Sequence, residues 1–392
     1  MEVSEELMAE GYSMLSTVCL DFADLGLDVL TLIDHRLKGK FETLRNRNSS
    51  IQYEEISTSS DLRSLFKKNV INADNILIIA PEMENILANL TRDAEEICKS
   101  FPSKRILNPP STFTMSFSDK IFSEVLLKKH KIPFPPSFSV EEFLNYYNST
   151  DFDREQGKTP KIKQSFIVKP SDGVGCLNTF EITLDPDGIK VHHDTFIRML
   201  GEFFERIRQT DPDREYLVQT KIEGVPCSVS FIIREKETVF FSINKQNIIR
   251  KYQDADSVKG IIETFKLDYK GGKTPFYGID RNTSIYLRSV VELLARKYNV
   301  NGFLGIDFIY RHDAADSMNY EDRAVFLEVN PRITTPYIAY SEIFRNRNQN
   351  IASLFFTGRS DLSDIKVLSY LYEKNKNTNA VELNRTNDDD AN

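Results

Sequence analysis

Apolar positions along the chain keep two rhythms, one of period 3.6 and one of period 2. Leu7, Met8, Tyr12, Leu15, Val18, Cys19 and Phe22 recur at helical spacing and stop at Gly26. LDVLTLID then reads as a strand ending at Asp34. SDLRSLFKKNVI reads as a helix capped by Ser60 or Asp61, and ADNILIIA as a second buried strand. NILANLTRDAEEICKS, behind Pro81, reads as a helix, and KRILNPP as a short third strand. Strands alternating with helices predict a parallel sheet flanked by helices, here a small open α/β domain over residues 1–108.

After Asn108 the strands crowd together. SDKIFSEVLLKKHKIPFPPSF predicts a capped helix and a Pro-bounded turn, and KQSFIVKPSDGVGCLNTFEI a strand, a Gly-bearing loop and a strand. HDTFIRMLGEFFERIRQ is helical. REYLVQTKIEGVPCSVSFIIREKETVFFSINKQNI predicts a strand, a short crossover and a hairpin. A long amphipathic helix follows, then FLGIDFIY and RAVFLEVNP, two strands joined by a polar connection over 311–323. YKGGKTP reads as a turn. The expected fold class is α/β and α+β: the parallel domain, then a two-part body over 109–215 and 216–362. Residues 363–392, poor in aromatics and rich in Asn and Asp, are expected to be a disordered polar tail.

Composition narrows the function. A chain of 392 residues is too long for one small core. No apolar run approaches the ~18 residues of a membrane span. MEVSEELMAEGYSML is acidic where a secretory leader is basic, so no membrane is expected as a partner and the cytoplasm is the expected compartment. The net charge of −8 argues against a nucleic-acid partner. The four cysteines form no CxxC, which leaves little support for a zinc knuckle or a dithiol redox site.

Within VFLEVNPRITTPY, Glu328 and Asn330 are two residues apart in a strand and should share a face, with Phe326 beside them. A buried carboxylate needs a positive partner, either a structural Lys or Arg or a metal. If the two strands pair as a hairpin, a plausible register sets Asp307 opposite Glu328. Two carboxylates and an amide on one sheet face are hard oxygen ligands suited to magnesium, which relieves a like-charge pair. Lys169 ends an apolar strand. The loop behind it, Asp172-Gly173-Val174-Gly175-Cys176, has glycines that let backbone amides approach an anion. The loop joins two strands and lacks the closing GK[ST], so it is neither a Walker A loop nor a dinucleotide fingerprint; a plain hairpin turn is the competing reading. YLVQTKIEG, before the carboxylate sheet, could form an adenine edge.

Lysine on a strand, a small glycine loop, a strand and crossover, then Asp and Glu-x-Asn is an order that resembles the ATP-grasp superfamily over about Thr112 to Tyr340. EGYSML, SINKQNI, YKGGKTP and LEVNPRITTPY are similar to archaeal carboxylate–amine ligases of the tyramine–glutamate ligase type. The resemblance implies an ATP-dependent ligase that forms an amide through an acyl phosphate, with ATP and Mg2+ (or Mn2+) as cofactors. Its small-molecule substrates would be an amino acid such as glutamate and an amine such as tyramine; a homodimer is an open assembly state. It implies that Lys120 and Lys169 touch the phosphates, that Gly173, Val174, Gly175 and Cys176 cover them, and that Gln219 and Ile222 border the adenine. Glu223 would stand in for the ribose carboxylate. Asp307, Glu328 and Asn330 would bind the metal. Arg332 would hold the transferred phosphoryl group, with Lys245 nearby. Relatives of the narrower group begin with a strand and a Gly-rich loop before the EGYSML helix. This chain begins almost at that helix, which implies a truncated N-terminus or a first domain one strand short. A catalytically silent ATP-binding module, or an enzyme of carboxylation or other phosphoryl transfer, is the alternative.

Overall fold

The computed structural model describes residues 5–148, 164–184, 193–212, 214–235, 237–253, 262–312, 319–356, 370–375 and 380–385. The N-terminal part runs α1 (Glu5–Asp24), β1 (Val29–Asp34), α2 (Lys38–Arg47), β2 (Ile51–Ile56), α3 (Ser59–Asn72), β3 (Asn75–Ile76), α4 (Ile86–Cys98) and β4 (Arg105–Ile106). It holds two parallel pairs, β1 with β2 and β3 with β4. The cap of α3 is Thr58, two positions before Ser60, the nearer of the two expected caps: its hydroxyl accepts from Asp61 N while the Asp61 carboxylate accepts from Thr58 N. The expected strand ADNILIIA pairs only at Asn75–Ile76. Beyond it the side chain of Asn108 replaces the ladder, accepting from Ile78 N at 2.7 Å and donating to Ile78 O at 2.8 Å.

The remainder is α5 (Ser111–Ser118), α6 (Lys120–Lys129), β5 (Ser137–Ser139), α7 (Val140–Asn148), β6 (Gln164–Pro170), β7 (Phe180–Leu184), α8 (His193–Thr210), β8 (Tyr216–Thr220), β9 (Val225–Arg234), β10 (Glu237–Tyr252) and β11 (Ile262–Thr274). It ends with α9 (Arg281–Tyr298), β12 (Gly302–Tyr310), α10 (Tyr320–Arg323), β13 (Ala324–Asn330), α11 (Pro336–Arg345), β14 (Tyr370–Asn375) and β15 (Ala380–Arg385). One sheet carries all these strands in the order β13-β12-β9-β10-β11-β7-β6-β8-β5, with β14 joined to β11 and β15 to β14. Among the described residues no helix is long and apolar enough to cross a membrane.

Two expectations are corrected here. YKGGKTP is the end of β11, not a turn: Lys273 pairs with Lys245 of β10 and Gly272 with Gln246. The polar tail is not wholly disordered. β14 and β15 form a hairpin on β11, and Val381 N donates to Ser13 Oγ of α1 at 3.0 Å; residues 363–369, 376–379 and 386–392 lie outside the described ones.

The sheet's two faces are dressed differently. Leu304, Ile306 and Phe308 of β12 pack with Val229 and Phe231 of β9 against Leu287, Val291 and Leu294 of α9. Phe303 and Asp307 point to the other face, where Tyr337, Tyr340 and Phe344 of α11 join Met14 and Val18 of α1 over one end. Burying these residues at about 25 cal/mol per Å² of apolar surface fixes the strand order and so the faces. Phe143, Phe203 and Phe204 close a separate core between β6–β8 and α7–α8.

Candidate active site

The hairpin of β12 and β13 has the expected register: Asp307 lies opposite Glu328 and Gly305 opposite Asn330. The register then slips between Asp307 and Phe308, which pairs with Phe326. Leu327 is therefore an extra residue, and a bulge of one residue reverses the facing of everything before it. Phe326 enters the α9 core instead of standing beside Glu328, as the alternation alone had implied. The bulge lets one short strand serve a greasy core and a charged site together.

Around this pair the groups converge. Asn330 Nδ2 donates to Asp307 Oδ2 at 3.3 Å and Gln246 Nε2 donates to Asp307 Oδ1 at 3.1 Å. Burial, then the Glu328 carboxylate, pushes the Asp307 carboxyl up to about 7. Lys120, the first residue of α6 behind its cap Asp119, sets Nζ 3.2 Å from Glu328 Oε1 and donates to Gly173 O at 2.6 Å. It ties the glycine loop to the carboxylate strand. Lys169, buried at the end of β6, donates to Gln219 Oε1 at 3.0 Å. Burial, then the Lys120 charge, lowers its ammonium to about 8.

The loop of residues 171–179 turns at Gly175 and Cys176, both at φ +60°. Gly175 adopts this freely, and Cys176 needs the loop's other contacts to hold it there. Gly173 packs on the Pro170 ring so closely that a Cβ would lie 3.2 Å from it, and Val174 is buried. Gln219 is buried and donates onward to Ser137 Oγ at 3.0 Å. Ile222 is half-buried at the crossover. Glu223 turns its carboxylate outward onto Lys221 Nζ at 2.8 Å. Arg332 points back to the N-terminal domain, where its Nε meets Glu82 Oε2 at 2.6 Å.

Lys245 departs from its expected place. Asn244 pairs with Ser228, and Ser228 with Asp307, so Asn244 and Gln246 share the carboxylate face. Lys245 therefore faces the other way, with Nζ 5.8 Å from the centre of the Phe276 ring. The signal that could have found Gln246 was strand parity within SINKQNI. Glu82 and Glu10 gave no such signal, because they reach Arg332 and Thr335 from the far end of the chain.

The donor set fits magnesium in kind: opposed carboxylates beside an amide, with one carboxyl held above its ordinary range by burial and then by the other. Among the described residues no three carboxylate, imidazole or thiolate groups gather at one point, so nucleotide phosphates and water would complete the shell.

Comparison with known proteins agrees with this frame. An ATP-grasp domain family matches residues 117–336, and a pre ATP-grasp 3 domain family matches residues 27–111. The tyramine–L-glutamate ligase of Methanocaldococcus jannaschii is 23% identical over 339 residues, 84% of this chain and 78% of that protein. The crystal structure of an ATP-grasp superfamily protein from Archaeoglobus fulgidus has a TM-score of 0.59 at 19% identity, covering 99% of this chain and 96% of that one. An ADP complex of N5-carboxyaminoimidazole ribonucleotide synthetase has a TM-score of 0.56 at 13% identity, covering 91% and 78%. With the larger match spanning more than half of the sequence, from the end of α5 just before Lys120 to the start of α11 after Arg332, the chain belongs to the ATP-grasp family.

Proposed function

We propose that the protein is an ATP-dependent carboxylate–amine ligase: the γ-phosphoryl group of ATP passes to a substrate carboxylate, and an amine displaces phosphate to give an amide. The convergence of Lys120, Lys169 and the glycine loop on the Asp307–Glu328 pair carries this reading. Lys120 and Lys169 hold the phosphates, residues 173–176 cover them, and Gln219 and Ile222 border the base. Asp307, Glu328 and Asn330 hold magnesium, which supplies neutralisation of the phosphoryl charge when bound. Arg332 stabilises the phosphoryl group as charge builds on its oxygens. Two anions must meet for the first step, so cations on both sides of the carboxylate are a physical requirement.

Glutamate and a small amine such as tyramine are the leading substrates, supported by the activity named for the archaeal relative. ATP as the nucleotide is supported by the ADP bound in a protein of the same fold. Incubation with ATP, magnesium and a matrix of amino acids and amines, read by phosphate release and by mass of the amide, tests the proposal. Phosphate release stimulated only by compounds with no amino-acid moiety would overturn the substrate assignment, and nucleotide binding without turnover would overturn the enzymatic one.

A further inference from the structure

Buried acids that the phosphate chemistry leaves unused gather beside Arg332. Glu82, at the end of the Pro81 turn in the N-terminal part, is 4% exposed and places Oε2 2.6 Å from Arg332 Nε. Its other oxygen, Oε1, is shut from solvent and has no hydrogen-bond partner among the described residues. A carboxylate offers acceptor sites on both oxygens, and a buried site left empty is unfavourable. Glu10 of α1, also buried, accepts from the Thr335 hydroxyl.

The turn that presents Glu82 is held to the nucleotide side. Glu84 and Asn85 sit at φ +53° and +57°, and Glu84 N donates to Asp172 Oδ2 of the glycine loop at 2.9 Å. Glu82 thus stands where an anion-binding arginine, the phosphate loop and the N-terminal part meet. The alkylammonium of an amino-acid substrate would supply directed N–H donors to Glu82 Oε1.

We propose that Glu82 recognises the ammonium group of the amino acid whose carboxylate is activated, with Oε1 as the acceptor. The substrate's own anion takes Arg332 from Glu82 Oε2, which leaves the Glu82 carboxylate to the ammonium. The inference rests on the ligase reading above.

The test compares glutamate with glutarate, which has the same carboxylates and no amino group, at saturating ATP and tyramine. The wild-type enzyme should prefer glutamate. Glu82→Gln should lower kcat/KM for glutamate by at least about tenfold, with little change for glutarate and with KM for ATP unaltered. Glu82→Asp, which keeps the charge, should recover part of the loss. An equal loss on both acids, with a lower melting temperature and a raised KM for ATP, would show a merely structural carboxylate and overturn the proposal. A wild-type enzyme that uses glutarate as well as glutamate would overturn it while leaving the ligase reading intact. Amide formation with no amino acid of the matrix would instead overturn the ligase reading, and this inference with it.

Discussion

Lys169 offers the sharpest test, because burial has already weakened its charge. Its ammonium titrates at about 8 against the ordinary 10.5, so holding the proton in the free protein costs about 3 kcal/mol. The folded value lies below the unfolded one. The lysine therefore lowers stability at pH below about 8, and the penalty fades as pH rises towards the unfolded value. Lys169→Met removes the charge and keeps the stem. It also removes the bond to Gln219, worth about 1–2 kcal/mol, so the apoprotein should be about 1–2 kcal/mol more stable. ATP phosphates would restore the proton. Affinity for ATP should hold from pH 7 to about 8 and fall roughly tenfold for each unit above it. Calorimetry in two buffers of different ionisation enthalpy should record proton uptake on ATP binding at pH 9, and Lys169→Met should abolish it while weakening binding by about 30-fold. A flat affinity across that range, or a mutant that binds ATP normally and melts several degrees lower, would make Lys169 a structural ion and refute the argument.

Other outcomes follow from the same geometry. Glu328→Gln should stay folded, release phosphate at least about a hundredfold more slowly and require more magnesium, read in a coupled assay across a magnesium titration; near-normal turnover at ordinary magnesium would remove the metal assignment. Lys245→Met should keep turnover within about threefold, and a selective fall in kcat would bring the residue back to the site. Gly302→Ala should cost about 3 kcal/mol in urea unfolding, because the residue is at φ +94° and a Cβ would lie 2.4 Å from Leu107 O.

The parts legible in the sequence were those where a local pattern meets a single cause. Alternation in FLGIDFIY and VFLEVNP, with a polar stretch between, yields the hairpin and sets Asp307 against Glu328. What alternation cannot reveal is a skipped residue, so Phe326 was turned to the wrong face. β2, IQYEEI, was missed because its charges hide the half-buried side that pairs with β1. β11 was missed at KLDYKGGKT because glycines and lysines oppose a strand locally, while ladders to β10, β7 and β14 impose one. The contacts of Arg332 with Glu82 and of Thr335 with Glu10 belong to no local pattern at all; they exist only once the two ends of the chain pack together.

The continuity of the large sheet governs how the protein can move. β11 pairs with β7 at Ile262–Lys266 and with β10 at Phe265–Lys273, so one strand is stitched into both halves of the nucleotide-binding body. The halves are not hinged plates joined by a loose thread. Swinging them apart would tear a hydrogen-bonded seam, whereas changing the sheet's twist would not. Any closure over a nucleotide would therefore have to be taken up as a torsion shared among many residues, with β11 as its spring. Amides along Ile262–Lys266 should exchange with solvent as slowly as those of β9 and β12, with or without ATP; fast exchange there in the free protein would mean that the seam opens.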